Sequence, residues 1–207
     1  MSLPMEATSH PSRHSAGDER SAFEAVSRRG RYARLMFNGP KDVSGVEIVL
    51  ATSEDWERVR DVRIRALADA PSAYGSRLEE EQDQPESSWR ARLEQQAAAT
   101  FLAIDGHETV GLVRTFVAPE HVTTAELVSM WVAPHARGQG VGRQLVAAVV
   151  EWVRHHDATS VELWVTETNA AARRLYESCG FVLSGRRRTL PSDPLLSEVA
   201  MRLDLGD

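Results

Sequence analysis

A glycine-rich turn between a predicted strand and a predicted helix constrains the fold of this chain more than any other feature. Glycine occupies alternate positions in the turn, at Gly138, Gly140 and Gly142. The strand covers residues 125–132, and the amphipathic helix runs from about residue 139 to 156. Glycines let backbone amides approach a ligand, and a helix N-terminus attracts anions. With Arg137 and Arg143 beside it, the turn predicts a site for a pyrophosphate.

The pattern on both sides of the turn predicts an α/β (α+β) fold with a mixed sheet. Strands are predicted at residues 46–50, 101–104, 110–117, 125–132 and 161–165 and near Phe181 and Val199; helices are predicted around residues 56–67, as two short pieces in 74–96, and at 139–156 and 169–178. Hairpin strands followed by alternating helices and strands are typical of a mixed sheet with helices on its faces. Residues 1–45 lack a sustained period and are predicted to be a disordered or extra segment, and residues 46–207 form the predicted domain.

Composition excludes several classes of protein. The chain has 207 residues, of which 42% are hydrophobic, enough for one sizeable core. A formal net charge of -6 argues against a nucleic-acid partner. Neither a run of eighteen apolar residues nor a signal-peptide pattern is present, so we expect a cytoplasmic protein without a membrane partner. Cysteine, histidine and acidic residues do not show metal-ligand spacing, so we expect no metal.

Two other kinds of phosphate-binding loop do not fit the turn. A Walker loop carries Lys and then Ser or Thr after its final glycine, whereas Arg143 and Gln144 follow Gly142. A dinucleotide-binding loop has two residues between its second and third glycines, whereas Val141 alone separates Gly140 from Gly142. A nucleotide-dependent redox or kinase domain remains an alternative that binding of NAD or ATP would support.

Two motifs carry a resemblance to a known family. Val-x-Pro and then Arg/Gln-x-x-Gly-x-Gly/Ala are matched by Val132, Pro134, Arg137, Gly140 and Gly142. Asn-x-x-Ala-x-x-x-Tyr-Glu-x-x-Gly-Phe is matched by Asn169, Ala172, Tyr176, Glu177, Gly180 and Phe181. Over residues 46–205 the chain therefore resembles the GNAT acetyltransferase superfamily. The resemblance implies the acyl-CoA N-acyltransferase fold, a mixed sheet in which two parallel strands, here 125–132 and 161–165, splay apart.

The resemblance also implies which residues bind acetyl-CoA as the acyl donor. Its pantetheine arm would lie between the splayed strands, against the backbone of Trp131 and Val132 and the side chain of Asn169. The pyrophosphate would be held by the turn, that is by Arg137, Gly138, Gln139, Gly140, Val141, Gly142 and Arg143. Tyr176 would lie near the sulfur, and a phenol with a pKa near 10 can protonate a departing thiolate. Tyr176 is therefore the predicted general acid.

Glu126 is the predicted base, because in many relatives a glutamate near this position accepts the amine proton through water. Alternation along the strand predicts one face with Glu126, Val128 and Met130 and an opposite face with Leu127, Ser129 and Trp131. Which face meets the acceptor is left open by the sequence. Glu198, on a closing strand, is a second candidate for the base.

These residues predict an N-acetyltransferase that acts on a primary amine of a small molecule or peptide. Direct attack in a ternary complex is expected, because no nucleophile is suitably placed for a covalent intermediate. A non-catalytic acyl-CoA-binding or sensing module is the alternative. Acidic residues at positions 79–81 and 83 suggest a cationic acceptor. A homodimer is expected from the resemblance.

Ligand-induced stabilisation tests the assignment of the glycine-rich turn. Acetyl-CoA or CoA at about a hundred times a micromolar dissociation constant should raise the free energy of unfolding by about 2.7 kcal/mol. Thermal unfolding with acetyl-CoA, CoA, NAD and ATP measures the effect. A larger shift with NAD or ATP than with either CoA species would contradict the assignment.

Overall fold

The computed structural model describes residues 45–206, which form a seven-stranded mixed sheet with helices on both faces. The strands are β1 (Val46–Leu50), β2 (Ala98–Asp105), β3 (Glu108–Val117), β4 (Thr124–Val132), β5 (Ser160–Thr166), β6 (Val182–Leu190) and β7 (Asp193–Asp204). Their order is β1-β2-β3-β4-β5-β7-β6. Neighbouring strands are antiparallel except β4 and β5, which are parallel. The predicted mixed sheet is confirmed. The prediction for residues 1–45 lies outside the described residues, Gly45 apart.

Helices cover the two faces of this sheet. They are α1 (Trp56–Asp69), α2 (Leu78–Gln82), α3 (Glu86–Leu93), α4 (Val141–Arg154) and α5 (Ala170–Ser178). A Cβ on Gly111 would lie 3.0 Å from Leu145 of α4, whereas the next residue, Leu112, lines a cavity together with Val59 of α1. Because neighbouring strand residues point to opposite faces, α4 and α1 cover opposite faces of the sheet. Within residues 45–206, no helix is long and apolar enough to cross a membrane.

The apolar stripe predicted on α4 holds this helix on the sheet. Val141, Leu145, Val149 and Trp152 are all buried, with at most 4% of their surface exposed. Full burial of such a side chain contributes about 1.5–3 kcal/mol. The start of α4, and with it the glycine-rich turn, is thereby fixed relative to β4.

The parallel strands β4 and β5 pair only at their beginnings. Their pairs are Thr124 with Ser160, Ala125 with Val161 and Glu126 with Glu162. Both strands then continue for several residues without pairing to each other, while β4 stays paired with β3 and β5 with β7. The splay that the resemblance implied for these two strands is thus present, and it begins at Glu126.

A β-bulge at Ser129 corrects the predicted alternation along β4. Ser129 has a φ of 57°, and the register with β3 shifts there. Glu126 and Val128 line the cavity beside α1, and Trp131 also faces α1, where its Nε1 donates to Asp69. Trp131 was predicted on the face opposite Glu126. One extra residue in the strand reverses the facing of every residue that follows, so the sequence pattern assigned Trp131 to the wrong face.

The connection after α1 bridges the gap between the parted strands. The Tyr74 hydroxyl donates to the carbonyl oxygen of Met130 on β4 at 3.0 Å. Two residues earlier, the Ser72 carbonyl accepts a hydrogen bond from the Thr166 hydroxyl at the end of β5 at 2.8 Å. Both contacts join residues more than fifty positions apart in sequence. The segment therefore holds the two strands at a defined separation.

Substitution of Ser129 tests the bulge. Since a β-branched side chain is strained at positive φ, S129V should lose about 1–2 kcal/mol of unfolding free energy, whereas S129G should be as stable as the wild type or more so. Urea denaturation measures both variants. S197V, an exposed position on β7, is the matched control and should stay within about 0.5 kcal/mol of the wild type. Equal losses in S129V and S197V would contradict the strain at Ser129.

Candidate active site

A cavity of about 460 Å³ lies where β4 and β5 part, on the face covered by α1. Its wall includes Glu126 and Ser129 from β4, Trp164 from β5 and Tyr74 from the bridging segment. The sequence did not decide which face of β4 would meet the acceptor. The cavity lies on the face that is turned toward α1. A cavity of this size suits a small molecule bound next to the gap between the strands.

Glu126 and Glu198, the two predicted candidates for the base, both line this cavity. Glu198 is 3% exposed, and its Oε2 accepts a hydrogen bond from Arg188 Nε at 2.7 Å. Among the described residues Glu126 makes no ion pair, and it is partly exposed. The charge of Glu198 is thus compensated inside the protein, whereas the carboxylate of Glu126 is available to a group that enters the cavity.

Tyr176 lies on α5 and is held there by the end of its own helix. The Gly180 N–H donates to the Glu177 carbonyl and the Phe181 N–H to the Tyr176 carbonyl, both at 3.0 Å. Gly180 has a φ of 91°, so these contacts form a Schellman motif. Phe181 then packs on Tyr176, with ring centroids 5.8 Å apart. The Tyr-Glu-x-x-Gly-Phe motif therefore ends α5 and buries the tyrosine.

Burial keeps two phenols protonated near the gap between the strands. Desolvation raises the pKa of Tyr176 well above its usual value, and the neighbouring Tyr74 raises it further. Desolvation likewise raises the pKa of Tyr74. A phenol in this state is protonated at neutral pH and is a weaker acid than the phenol with a pKa near 10 that was expected for Tyr176. Tyr74 lines the cavity, and Tyr176 is buried on α5.

The glycine-rich turn presents backbone amides at the start of α4. Gly138 and Gly140 have φ values of 78° and 85°, a conformation that favours glycine, and Gly140 is the N-cap of α4. The first amide groups of a helix have no partner within it, so those of Val141 and its neighbours are available to an anion. Arg143, in the first turn of α4, is exposed.

The third glycine of the turn has a packing role. A Cβ on Gly142 would lie 2.9 Å from Cδ2 of Leu175, so its hydrogen lets α4 approach α5 closely. The Asn169 side chain caps α5, where its Oδ1 accepts the N–H of Ala172 at 3.1 Å. Asn169 and Gly142 were assigned to the donor molecule on the resemblance, and in the structure each also orders the α5 region.

Arg137 is fixed by contacts inside the protein. Its Nε donates to the Val132 carbonyl at 2.9 Å, and its guanidinium forms an ion pair with Asp69 at the end of α1. Asp69 also accepts a hydrogen bond from Trp131 Nε1 at 2.9 Å. The bond from Trp131, followed by that from Arg137, outweighs partial burial and lowers the pKa of Asp69. Arg137 thus ties the turn to α1 and β4. Gln139 adds a bond within the turn, from Nε2 to the His135 carbonyl at 2.8 Å.

Sequence reasoning missed Asp69, Tyr74 and three arginines of the cavity wall: Arg63, Arg92 and Arg114. A signal for two of the arginines was present. Arg63 interrupts the apolar stripe of α1, four residues after Val59, and Arg114 interrupts an apolar strand. Asp69 and Tyr74 follow the last apolar turn of α1, where local sequence gives no sign of a partner sixty residues away.

Comparison with known proteins places these features in a family. Residues 61–181 match the acetyltransferase (GNAT) family. The mycothiol acetyltransferase of Thermobispora bispora is 30% identical over 174 residues, which span 82% of this chain and 57% of that protein. The mycothiol acetyltransferase of Thermomonospora curvata is 33% identical over 126 residues, 61% of this chain and 39% of that protein. The chain thus spans about half the length of these curated relatives.

A solved structure shows the same fold. The yncA protein of Salmonella typhimurium, whose structure was determined with its cofactor acetyl-CoA, matches with a TM-score of 0.65. The match has 19% sequence identity and covers 79% of this chain and 96% of that chain. At this identity the likeness concerns the fold alone, and it agrees with the splayed mixed sheet described above.

Replacement of Asp69 by Asn tests the contact that ties α1 to the turn. D69N should lower the free energy of unfolding at pH 7 by about 1 kcal/mol, because charged hydrogen bonds become neutral ones. Since the pKa of Asp69 is lowered by folding, the difference should be full above the unfolded pKa near 3.9 and vanish as pH falls through the folded value. Denaturation at several pH values measures it. D61N, an exposed residue on the same helix, should differ by less than about 0.5 kcal/mol.

Proposed function

The chain belongs to the acetyltransferase (GNAT) family, and we propose that it transfers the acetyl group of acetyl-CoA to a primary amine of a small molecule or peptide. The observation that carries the proposal is the parting of β4 and β5 at Glu126, because it combines an open strand edge, a cavity and an uncompensated carboxylate at one point. The proposal includes a cytoplasmic location, a reaction that needs no metal, and a homodimer.

The residues around the gap fit the two ends of acetyl-CoA. Beyond Glu126 the edge of β4 toward β5 pairs with no strand among the described residues, and backbone groups of Trp131 and Val132 lie on this stretch. An extended arm with amide groups can add to such an edge as a further strand does. The turn from Arg137 to Arg143 supplies helix N-terminal amides for the pyrophosphate. Asn169 would add a contact to the arm.

Glu126 is the proposed proton acceptor for the attacking amine. An ammonium group must lose a proton before its nitrogen can attack, and a carboxylate reached through one water can take that proton. Glu126 lies at the beginning of the gap, where acceptor and thioester would meet. The ion pair between Glu198 and Arg188 makes Glu198 the less suitable of the two candidates.

Tyr176 is the proposed proton donor to the departing sulfur. In the reaction a C–N bond forms and a C–S bond breaks; the amine proton passes toward Glu126, and the thiolate takes a proton from the phenol. Burial raises the pKa of the Tyr176 phenol, so Tyr176 carries its proton at neutral pH but is a weaker acid than a free phenol. Tyr74 belongs to the same cluster, and its bond to the Met130 carbonyl gives it a role in holding the strand edge.

A non-catalytic module that binds acyl-CoA is the alternative function, because the same edge and turn would serve binding alone. Glu126 separates the two functions, since its carboxylate is placed at the cavity and has no ion-pair partner among the described residues. That arrangement favours catalysis over binding alone.

Substitutions of Glu126 and Tyr176 test the catalytic roles. E126Q and Y176F should each lower kcat by about a hundredfold or more, since general acid–base groups contribute about 10²–10⁴-fold. The loss in E126Q should shrink at high pH, where the amine is already deprotonated. Release of CoA thiol across pH 6–10 measures both variants, and E120Q, on an exposed connection, is the matched control. Unchanged kcat in E126Q at neutral pH would remove Glu126 from the mechanism.

A further inference from the structure

The positive charges around the cavity are only partly compensated. Among the described residues, four arginines line it: Arg63, Arg92, Arg114 and Arg188. Three glutamates face them, and two of these are engaged in ion pairs. Removing an ion from water costs free energy unless the ion is paired. The charged residues of the cavity that lack a partner therefore indicate which charge a ligand must supply.

Glu81 neutralises one side of the cavity. Its Oε1 lies 3.0 Å from Arg63 Nη2, and its Oε2 lies 2.9 Å from Arg92 Nη1. Burial by itself raises the pKa of Glu81, but the hydrogen bond and charge of Arg63 outweigh burial, so its pKa lies below the usual value. Glu81 thus stays ionised and shares its single charge between two guanidinium groups. Near this carboxylate the local balance is positive.

Arg63 is held with one donor atom unsatisfied. Its guanidinium lies 4.7 Å from the centre of the Tyr74 ring, and only 8% of its side chain is exposed. Nη1 is buried and has no hydrogen-bond partner within residues 45–206. A buried donor without a partner costs about 1–3 kcal/mol, so Arg63 is held in this position at a cost in stability.

Arg114 is bonded to neutral groups and to no carboxylate among the described residues. Nη1 donates to the Arg92 carbonyl at 3.0 Å and to Thr100 Oγ1 at 3.1 Å, and Nη2 donates to Gln95 Oε1 at 2.6 Å. These bonds use three of the five N–H donors of a guanidinium. Burial, and then the charge of Arg92, lowers the pKa of Arg114. Three hydrogen bonds thus fix the guanidinium in the cavity wall, and it has no carboxylate partner among the described residues.

Arg114 and Glu126 lie on neighbouring strands and face the same cavity. In the register of β3 and β4, Arg114 pairs with Val128 and Phe116 pairs with Glu126. Arg114 is therefore the diagonal neighbour of Glu126, and Cα atoms in this relation are about 7–8 Å apart. The cation and the carboxylate thus belong to one wall of the cavity, on backbone positions close enough for one small molecule to contact both side chains.

We propose that the acceptor is an amine that also carries a carboxylate, of the amino-acid class, with its carboxylate bound by Arg114 and its amine directed to Glu126. This inference rests on the proposed function and names the substrate class of the same site. It departs from the cationic acceptor that the acidic run at residues 79–83 suggested. Glu79 and Glu80 are exposed, whereas Glu81 is already neutralised by arginines.

Matched acceptors test the proposal on the wild-type protein. Each pair contrasts an amino acid with its own carboxamide, for example 4-aminobutanoate with 4-aminobutanamide and L-methionine with L-methioninamide; spermidine represents cationic acceptors. A charged hydrogen bond contributes about 1.5–3 kcal/mol, so the acid of the preferred skeleton should bind about ten- to a hundredfold more tightly than its amide. Calorimetric titration in the presence of CoA measures binding, and thiol release with acetyl-CoA measures kcat/KM.

Variants of Arg114 link the preference to this residue. In R114Q the acid-to-amide ratio should fall close to one, and in R114K it should be intermediate, because lysine keeps the charge but not the two-pronged geometry. R58Q, an exposed arginine on α1, is the matched control and should keep the wild-type ratio. Thermal unfolding identifies any variant that is not folded, and the wild-type pairs decide the question in that case.

The outcomes separate the inference from the proposed function. Equal binding of acid and amide, or stronger binding of spermidine, overturns the carboxylate site even where acetyl transfer is found. Preference for the acid that is lost in R114Q supports the site, and it does so even where no amine is acetylated, a result that would overturn the proposed function alone. A preference for the acid that survives in both R114Q and R114K also overturns the assignment to Arg114.

Discussion

The separation of two parallel strands after only three residue pairs is the constraint on which the rest of the structure depends. Beyond Glu126, β4 is paired with β3 and not with β5, so the sheet carries an open edge in its interior instead of at its border. Unpaired strand edges ordinarily invite another strand. Here the connection at residues 72–74 bonds to both strands and α4 is anchored beside them, so the gap keeps its width and can receive an extended molecule.

Charged side chains in the wall of the cavity cost free energy of desolvation, which an apolar core would avoid. Replacing buried ion pairs by apolar side chains is often neutral or stabilising, so buried arginines are weak evidence of a stability role. Arg63, Arg92 and Glu81 form one partly compensated group, and Arg114 is bonded only to neutral oxygens. The ion pairs of Glu81 on α2 with Arg63 on α1 and Arg92 on α3 also hold these three helices together. The arrangement is understandable as a binding surface whose last partner is a ligand.

Long-range contacts connect the glycine-rich turn with α1, the helix that covers the cavity. Asp69, at the end of α1, binds both Trp131 of β4 and Arg137 of the turn. The carboxylate lies near the cavity side of the sheet, whereas the turn leads into the helix on the opposite face. One short side chain therefore sets the position of the turn and of α1 relative to the strand between them.

By itself the sequence determined the order of the elements, the stripe that anchors α4, and the motif that ends α5 with Gly180 and Phe181, because periodicity, capping and glycine conformation act over a few residues. The tertiary structure alone decided which face of β4 meets the cavity. The bulge at Ser129 adds one residue to the two-residue repeat of the strand, and the pattern of side chains in the sequence does not indicate this extra residue. The tertiary structure also decided which charges remain uncompensated. The sequence contains Arg114, Glu81 and Glu126, but their pairing depends on contacts between elements far apart in the chain, and only folding brings these together.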